Sequence, residues 1–182
     1  MPDVICVRMI WDRRAIELGS LPGRWHSLHY GPEAEHPFGR RGLAMAEAWS
    51  ALQMSKQEAG MVLLDGDVAV DPHDVQAMLT AIHFEPAAVH VAPVKIWPKS
   101  TTWDAWAWGH YRDRPSQERC VDPRRFGFSF TYLPRCLLAA CVRAGLRRWA
   151  FPTCDTRVSA TAARIGVAVR VVESATPTHM HY

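Results

Sequence analysis

Short apolar runs alternate with helix-like stretches along this chain. The β-branched run Val4–Ile10 and the apolar run Met61–Leu64 predict two buried strands. Between them, large apolar residues recur at helical spacing among good helix formers, which predicts a helix from about Gly42 to Lys56. This alternation is typical of an α/β fold with a mostly parallel central sheet flanked by helices.

The same pattern continues to the end of the sequence. Further strands are predicted at 25–30, 88–97, 102–111, 126–132 and 167–172. Asp71 followed by Pro72 predicts a helix start, because aspartate caps free N–H groups and proline suits the first helical position. Two more helices are predicted, one after Pro134 that ends at Gly145 and one from about Asp155 to Ile165. The first of these is expected to turn Leu137, Leu138, Cys141 and Val142 inward.

Composition places the chain among ordinary globular proteins. Its 182 residues, 48% of them hydrophobic and 21% charged, fit one domain spanning 1–182. The five cysteines form no C-x-x-C pair, which argues against a disulfide framework or a zinc knuckle. The sequence shows no basic leader and no apolar run of about 18 residues. We therefore expect a cytoplasmic protein without a membrane span.

The most informative stretch follows the strand Met61–Leu64. It reads Asp65-Gly66-Asp67 and ends in Asp71-Pro72. Two carboxylates two residues apart in extended chain face the same way, and their repulsion is relieved if a hard cation such as Mg²⁺ or Mn²⁺ binds them. The alternative is that these aspartates are turn and cap residues, and for Asp71 we favour the cap.

Several motifs in sequence order resemble those of GT-A glycosyltransferases. Asp65-Gly-Asp67 looks like the D-x-D motif, and Phe38-Gly-Arg-Arg-Gly-Leu-Ala-Met-Ala-Glu-Ala-Trp49 is similar to the helix that precedes it in that family. Phe126–Arg135 resembles the glycine-containing strand before the acceptor-side helix, and Trp149–Asp155 resembles the late acidic motif. The chain is shorter than is common for this fold, and it has Cys154-Asp155 where paired acids are often found.

The resemblance implies a Rossmann-like GT-A fold and a nucleotide-sugar donor. Its diphosphate would be held by Mn²⁺ or Mg²⁺ on Asp67, with Asp65 near the ribose or sugar and Asp155 as the general base. His179 and His181 fall where many members place a metal-binding histidine.

Other residue types suggest further contacts. Arg40 and Arg41 are candidates for hydrogen bonds to the diphosphate, although a solvated basic turn is an equal alternative. Trp106 and Trp108 are candidates for stacking on the acceptor, with core packing as the alternative.

The sequence thus predicts a metal-dependent transfer of a sugar to an acceptor hydroxyl. Small stand-alone enzymes of this kind resemble phage-encoded ones, some of which modify DNA bases, so DNA carrying a hydroxylated base is one candidate for the acceptor, whose identity the sequence leaves open. Two alternatives stay open, a nucleotidyltransferase and a non-catalytic nucleic-acid-binding module. The first usually needs a glycine-rich phosphate loop near the first strand, and Ile10–Arg14 does not provide one.

Overall fold

A computed structural model describes residues 3–10, 21–29, 41–52, 58–97, 103–104, 126–149 and 153–180. Their central feature is a six-stranded sheet in the order β2-β1-β3-β8-β5-β9. The strands are β1 (Asp3–Ile10), β2 (Arg24–His29), β3 (Glu58–Asp65), β5 (Val89–Val91), β8 (Phe130–Pro134) and β9 (Val169–Val171). Only β8 runs against its neighbours, so the described sheet is mostly parallel, as predicted.

Helices cover both faces of this sheet because its strands are apolar on both sides. Alternate residues of β1 enter different cores, with Val7 on one face and Cys6 on the other. The first face carries α1 (Arg41–Leu52), α3 (Arg135–Arg143) and α4 (Thr153–Ile165), and the second carries α2 (Pro72–Phe84). The expected α/β class with a helix-flanked, mostly parallel sheet is confirmed.

A second, four-stranded sheet has the order β4-β10-β6-β7. It consists of β4 (Val68–Ala69), β6 (Val94–Trp97), β7 (Trp103–Asp104) and β10 (Thr178–Met180). The single strand predicted over 88–97 is therefore wrong, because β5 and β6 belong to different sheets. Pro93 lies between them, and proline has no N–H to continue a ladder.

The helix ends follow the predicted signals. Asp71 and Asp74 form a reciprocal capping box at the start of α2. Gly145 and Gly166 follow α3 and α4 with φ of +94° and +72°, a region that favours glycine. The prediction that Val142 turns inward is wrong: Val142 is exposed, whereas Leu137, Leu138 and Cys141 are buried.

The residues after β9 form the strand β10, which the sequence did not predict. β10 lies between β4 and β6, antiparallel to the first and parallel to the second. Thr176, just before it, donates its backbone N–H to the buried Asp74 carboxylate at 2.6 Å. Removing residues 179–182 would therefore disturb a sheet as well as any ligand at this position.

The strand expected at 102–111 is described only at β7, and the rest of that range lies outside the described residues. Among the described helices, the longest have 13 residues, and none is long and apolar enough to cross a membrane.

The capping box gives a stability prediction. Asp74→Ala removes the hydrogen bonds to Asp71 N (3.0 Å) and Thr176 N (2.6 Å), and should lower the free energy of unfolding by about 2 kcal/mol. Asp71→Ala removes the bond to Asp74 N and should cost about 1 kcal/mol. Urea denaturation measures both, with exposed Gln76→Ala as the matched control. Equal losses for the two aspartates would show that Asp74 does not anchor the segment before β10.

Candidate active site at the carboxyl end of the central strand

The Asp65-Gly66-Asp67 turn lies where β1 and β3 end together. The parallel register places Asp65 opposite Met9, and Gly66 donates its N–H to the Met9 carbonyl at 2.7 Å. Asp65 donates its own N–H to the Ser129 carbonyl at 3.0 Å. A Cβ on Gly66 would lie 3.0 Å from the Met9 carbonyl oxygen, a tight contact that would require the neighbouring backbone to shift slightly. Backbone contacts on two sides thus fix the first carboxylate of the motif.

Arg41 connects this turn to the distant Asp155. Its guanidinium forms an ion pair with the Asp65 carboxylate through Nη2, and Nη1 lies 3.5 Å from Asp155 Oδ1. The guanidinium carbon also lies 4.9 Å from the centroid of the Phe128 ring, a cation–π arrangement. The arginine is buried, being only 2% exposed. Three segments predicted to carry the chemistry therefore meet at one side chain.

A close backbone contact between Gly42 and Trp149 fixes the position of the adjacent Arg41. Gly42 donates its N–H to the Trp149 carbonyl at 2.9 Å, and a Cβ there would lie 2.1 Å from the Leu146 carbonyl oxygen. No other residue type allows this approach. The first turn of α1 is thereby held against the segment that leads into α4, which carries Asp155.

Asp155 is a buried carboxylate in the first turn of α4. Burial raises the pKa of Asp155, while the Arg41 cation opposes that rise. The helix is tied to the strand side by Ser159, whose hydroxyl bridges the Asp155 and Phe126 carbonyls, each at 2.8 Å. A carboxylate with a raised pKa in a restricted position is suited to accept a proton.

The neighbouring Cys154 is not suited to take part in chemistry. It is fully buried, with its Sγ 3.9 Å from the Met45 sulfur, and burial raises the pKa of its thiol to about 12. The thiol is therefore a core group rather than a nucleophile.

Arg8 is a site residue that the sequence reasoning missed. Its Nη2 donates to the Gly66 carbonyl at 3.1 Å, between the two aspartates of the motif. The side chain is buried, its Nε has no hydrogen-bond partner within the described part of the chain, and burial lowers its pKa. The sequence did contain one signal: an arginine inside the β-branched run Val4–Ile10, where burying a charge is costly unless the charge is paired and hydrogen-bonded.

The remaining predicted residues divide into two groups. Asp67 is half-buried and stands one residue before β4, and the backbone of β10 pairs His179 with Val68. The backbone of the tail strand thus runs beside the strand that follows the acidic turn. Arg40, Trp106, Trp108 and His181 lie outside the described residues.

A second acidic group lies near the start of α2. The ligand atoms of Asp71, His73 and Asp74 are within 4.8 Å of one another. Both carboxylates, however, accept backbone N–H groups in the capping box, and Asp74 also accepts the Thr176 N–H. These bonds account for the cluster as a helix cap, the role we expected for Asp71.

The described residues thus define an α/β protein with a site at the carboxyl edge of its sheet, where Arg41 joins two carboxylates.

Solved structures that align with most of this chain include the following two. The crystal structure of A197 from STIV shares 13% identity, covers 93% of this chain and 82% of its own, and has a TM-score of 0.47. A glycosyltransferase involved in the glycosylation of the major capsid of PBCV-1 shares 12% identity, covers 98% of this chain and 94% of its own, and has a TM-score of 0.49. No protein-family model and no curated protein matches the sequence.

The buried ion pairs predict a pH-dependent loss of stability when Arg41 is removed. Without the cation, the pKa of Asp155 in the folded state rises further above its unfolded value of about 4. Folding then favours the protonated acid, so the variant should lose stability as pH rises from about 4 through the folded-state pKa. We expect Arg41→Met to cost about 3 kcal/mol or more at pH 8 and clearly less at pH 5.

Urea denaturation at both pH values measures this effect. Adding Asp155→Asn should restore part of the loss at pH 8, because the uncompensated charge is gone. A cost that does not depend on pH would mean that Arg41 contributes packing rather than charge.

Proposed function

We propose that this protein is a metal-dependent glycosyltransferase that moves a sugar from a nucleotide-diphosphate sugar to an acceptor hydroxyl. The observation that carries the proposal is the meeting of Asp65, Arg41 and Asp155 at the carboxyl edge of the sheet. Ligands of α/β sheets bind beyond this edge. A structural role alone would not need a buried and a partly buried carboxylate around one buried guanidinium, since such groups are costly to desolvate.

The donor set around Asp67 fits a divalent cation. Asp67 is half-buried and directly precedes β4, and β10 brings the His179 backbone alongside that strand. Oxygen ligands with an imidazole suit Mn²⁺ or Mg²⁺, which would supply charge neutralisation on the departing diphosphate. In this proposal Asp67 and one of His179 and His181 hold the ion, and Asp65 contacts the ribose or sugar.

The arginines have separate tasks in this proposal. Arg41 is a positioning residue, because its guanidinium is occupied by the two carboxylates that it orients. Arg8 holds the carbonyl of Gly66 and adds a buried positive charge behind the turn, where an anionic diphosphate would bind. Arg40 stays a candidate for direct contact with the phosphates, and Trp106 and Trp108 stay candidates for the acceptor side.

Asp155 is the proposed general base. Its carboxylate accepts the proton of the acceptor hydroxyl as the oxygen attacks the sugar carbon. The raised pKa makes it a stronger base than a solvated aspartate, while Arg41 keeps the ionised form accessible. The surrounding burial excludes water from the same position.

Metal dependence tests whether Asp67, rather than the nearby helix cap Asp71, holds the cation. Release of nucleoside diphosphate from the donor should require Mn²⁺ or Mg²⁺, and Asp67→Ala should lower it by at least ~100-fold, since metal stabilisation contributes several kcal/mol. Asp71→Ala is the matched control: it removes a neighbouring carboxylate of the helix cap and should keep the activity of the folded protein. Full turnover in excess chelator, or an equal loss in the control, would contradict the assignment of Asp67.

The role of Asp155 predicts a particular kinetic pattern. Asp155→Asn keeps the shape and removes the basicity, so the transfer kcat should fall at least ~100-fold with little change in the donor KM. Wild-type transfer should rise with pH as Asp155 ionises, and the variant should lack this acidic limb. Initial-rate measurements from pH 4 to 8 test both points. An unchanged kcat, or a retained limb, would leave Asp155 as a helix-start acid only.

A further inference from the structure

Positive charge is concentrated in one segment of the chain. Between Arg135 and Arg164 there are six arginines, no lysine or histidine, and one acidic residue, Asp155. The segment therefore carries +5 in a chain whose net charge is +3, and the remaining residues together are net negative. The distribution is polarised although the total charge is mild.

Three of these arginines line an open groove between α3 and α4. One part, of about 460 Å³, is lined by Arg143 and Arg164, and an adjoining part, of about 330 Å³, is lined by Arg157 and Arg164. Ala144 belongs to both parts, and Ala140 and Ala160 add small side chains to the lining. We call this surface, with Arg143, Arg157 and Arg164, the arginine groove.

Five of the six arginines of this segment form no ion pair with a carboxylate in the described part of the chain. These five are all exposed, and they are Arg143, Arg147, Arg148, Arg157 and Arg164. The segment's one acid, Asp155, is buried and faces Arg41 instead. Elsewhere an exposed arginine does find a carboxylate, as Arg170 does with Glu85 at 2.9 Å.

We propose that the arginine groove binds the phosphodiester backbone of a nucleic acid. Guanidinium groups bind phosphate oxygens in bidentate fashion, which explains the use of arginine without lysine. Arg157 and Arg164 are seven residues apart on one helix, about 10 Å along its axis, so they address separate phosphates of one strand. Small alanine side chains in the lining leave room for a strand to approach.

A membrane surface suits this region less well. Peripheral helices insert protruding aromatic and large apolar side chains beside their basic residues. Here Trp149 is 5% exposed and lies beneath Arg157, whose guanidinium carbon is 6.0 Å from its ring. Among the described residues, the exposed large apolar side chains nearby are Val142 and Ile165, at 36% and 42%, which is too little for an anchor.

The groove and the candidate active site share helix α4. Asp155 lies in the first turn of this helix and is buried, whereas Arg157, two residues later, and Arg164, in the last turn, are exposed. A strand held along α4 would therefore reach the end of the helix that carries the proposed general base. The groove proposal deepens the proposed function because it names a nucleic acid as the acceptor, and this part of it rests on the proposed function.

The test compares two double variants that lose equal charge. Arg143→Gln/Arg164→Gln changes the groove, and Arg24→Gln/Arg170→Gln changes exposed arginines on β2 and β9, the two edge strands of the sheet. Fluorescence anisotropy with a 20-base-pair DNA duplex, the single strand and the matching RNA, at 50–200 mM salt, measures binding. The groove variant should bind at least ~10-fold more weakly and show a salt slope flatter by about 2, while the control should resemble wild type.

Equal effects of the two variants, or no binding of wild type to any of the three nucleic acids at 50 mM salt, would overturn the proposal. So would stronger binding to vesicles of anionic lipid than to nucleic acid. Metal-dependent donor hydrolysis is measured on the same variants and should be unchanged, since neither variant touches the acidic site. If the wild-type protein hydrolyses the donor but binds no nucleic acid, the groove proposal is refuted and the transferase stands. If the wild-type protein binds nucleic acid but does not hydrolyse the donor, the transferase is refuted and the groove stands.

Discussion

The candidate site depends on one buried arginine placed between two carboxylates. Arg41 opens α1, Asp65 ends β3 and Asp155 lies in the first turn of α4, and each of these elements has its own contacts in the core. One guanidinium and two ionised carboxylates, counted alone, carry a net charge of −1. Low dielectric strengthens both the attraction and the remaining imbalance. A divalent cation or a shared proton is the means by which such a cluster is balanced, and both belong to the proposed chemistry.

Backbone approach makes this cluster possible. At Gly42 a Cβ would clash with a carbonyl oxygen of the segment before α4, and at Gly66 a Cβ would make a tight contact with the carbonyl oxygen of Met9 near the end of β1. Both glycines adjoin a charged residue of the cluster. The side chains are therefore brought together by main-chain contacts rather than by the ion pairs alone, which is the order expected if the pairs serve function more than stability.

Local signals in the sequence predicted much of the fold, because they depend on neighbouring residues. The Asp71-Pro72 helix start and the glycines after α3 and α4 are of this kind. Features set by tertiary contacts were not predictable in the same way. Pro93 divides one apolar run between two sheets, and β10 is a strand only because β4 and β6 are beside it. The residues around Arg8 in the sequence do not indicate its hydrogen-bond partner, because that partner, Gly66, is 58 residues away.

The reversed strand β8 has a consequence for how the molecule holds together. It pairs with β3 on one side and β5 on the other, and the described ladders show no direct pairing between those two parallel groups. The sheet is thus two parallel halves joined along a single seam of five buried residues. Asp65 belongs to one side of that seam through β3, and the Ser129 carbonyl that accepts its N–H directly precedes β8. Separation of β3 from β8 would therefore also release the Asp65 backbone, so the position of the acidic turn depends on the antiparallel strand.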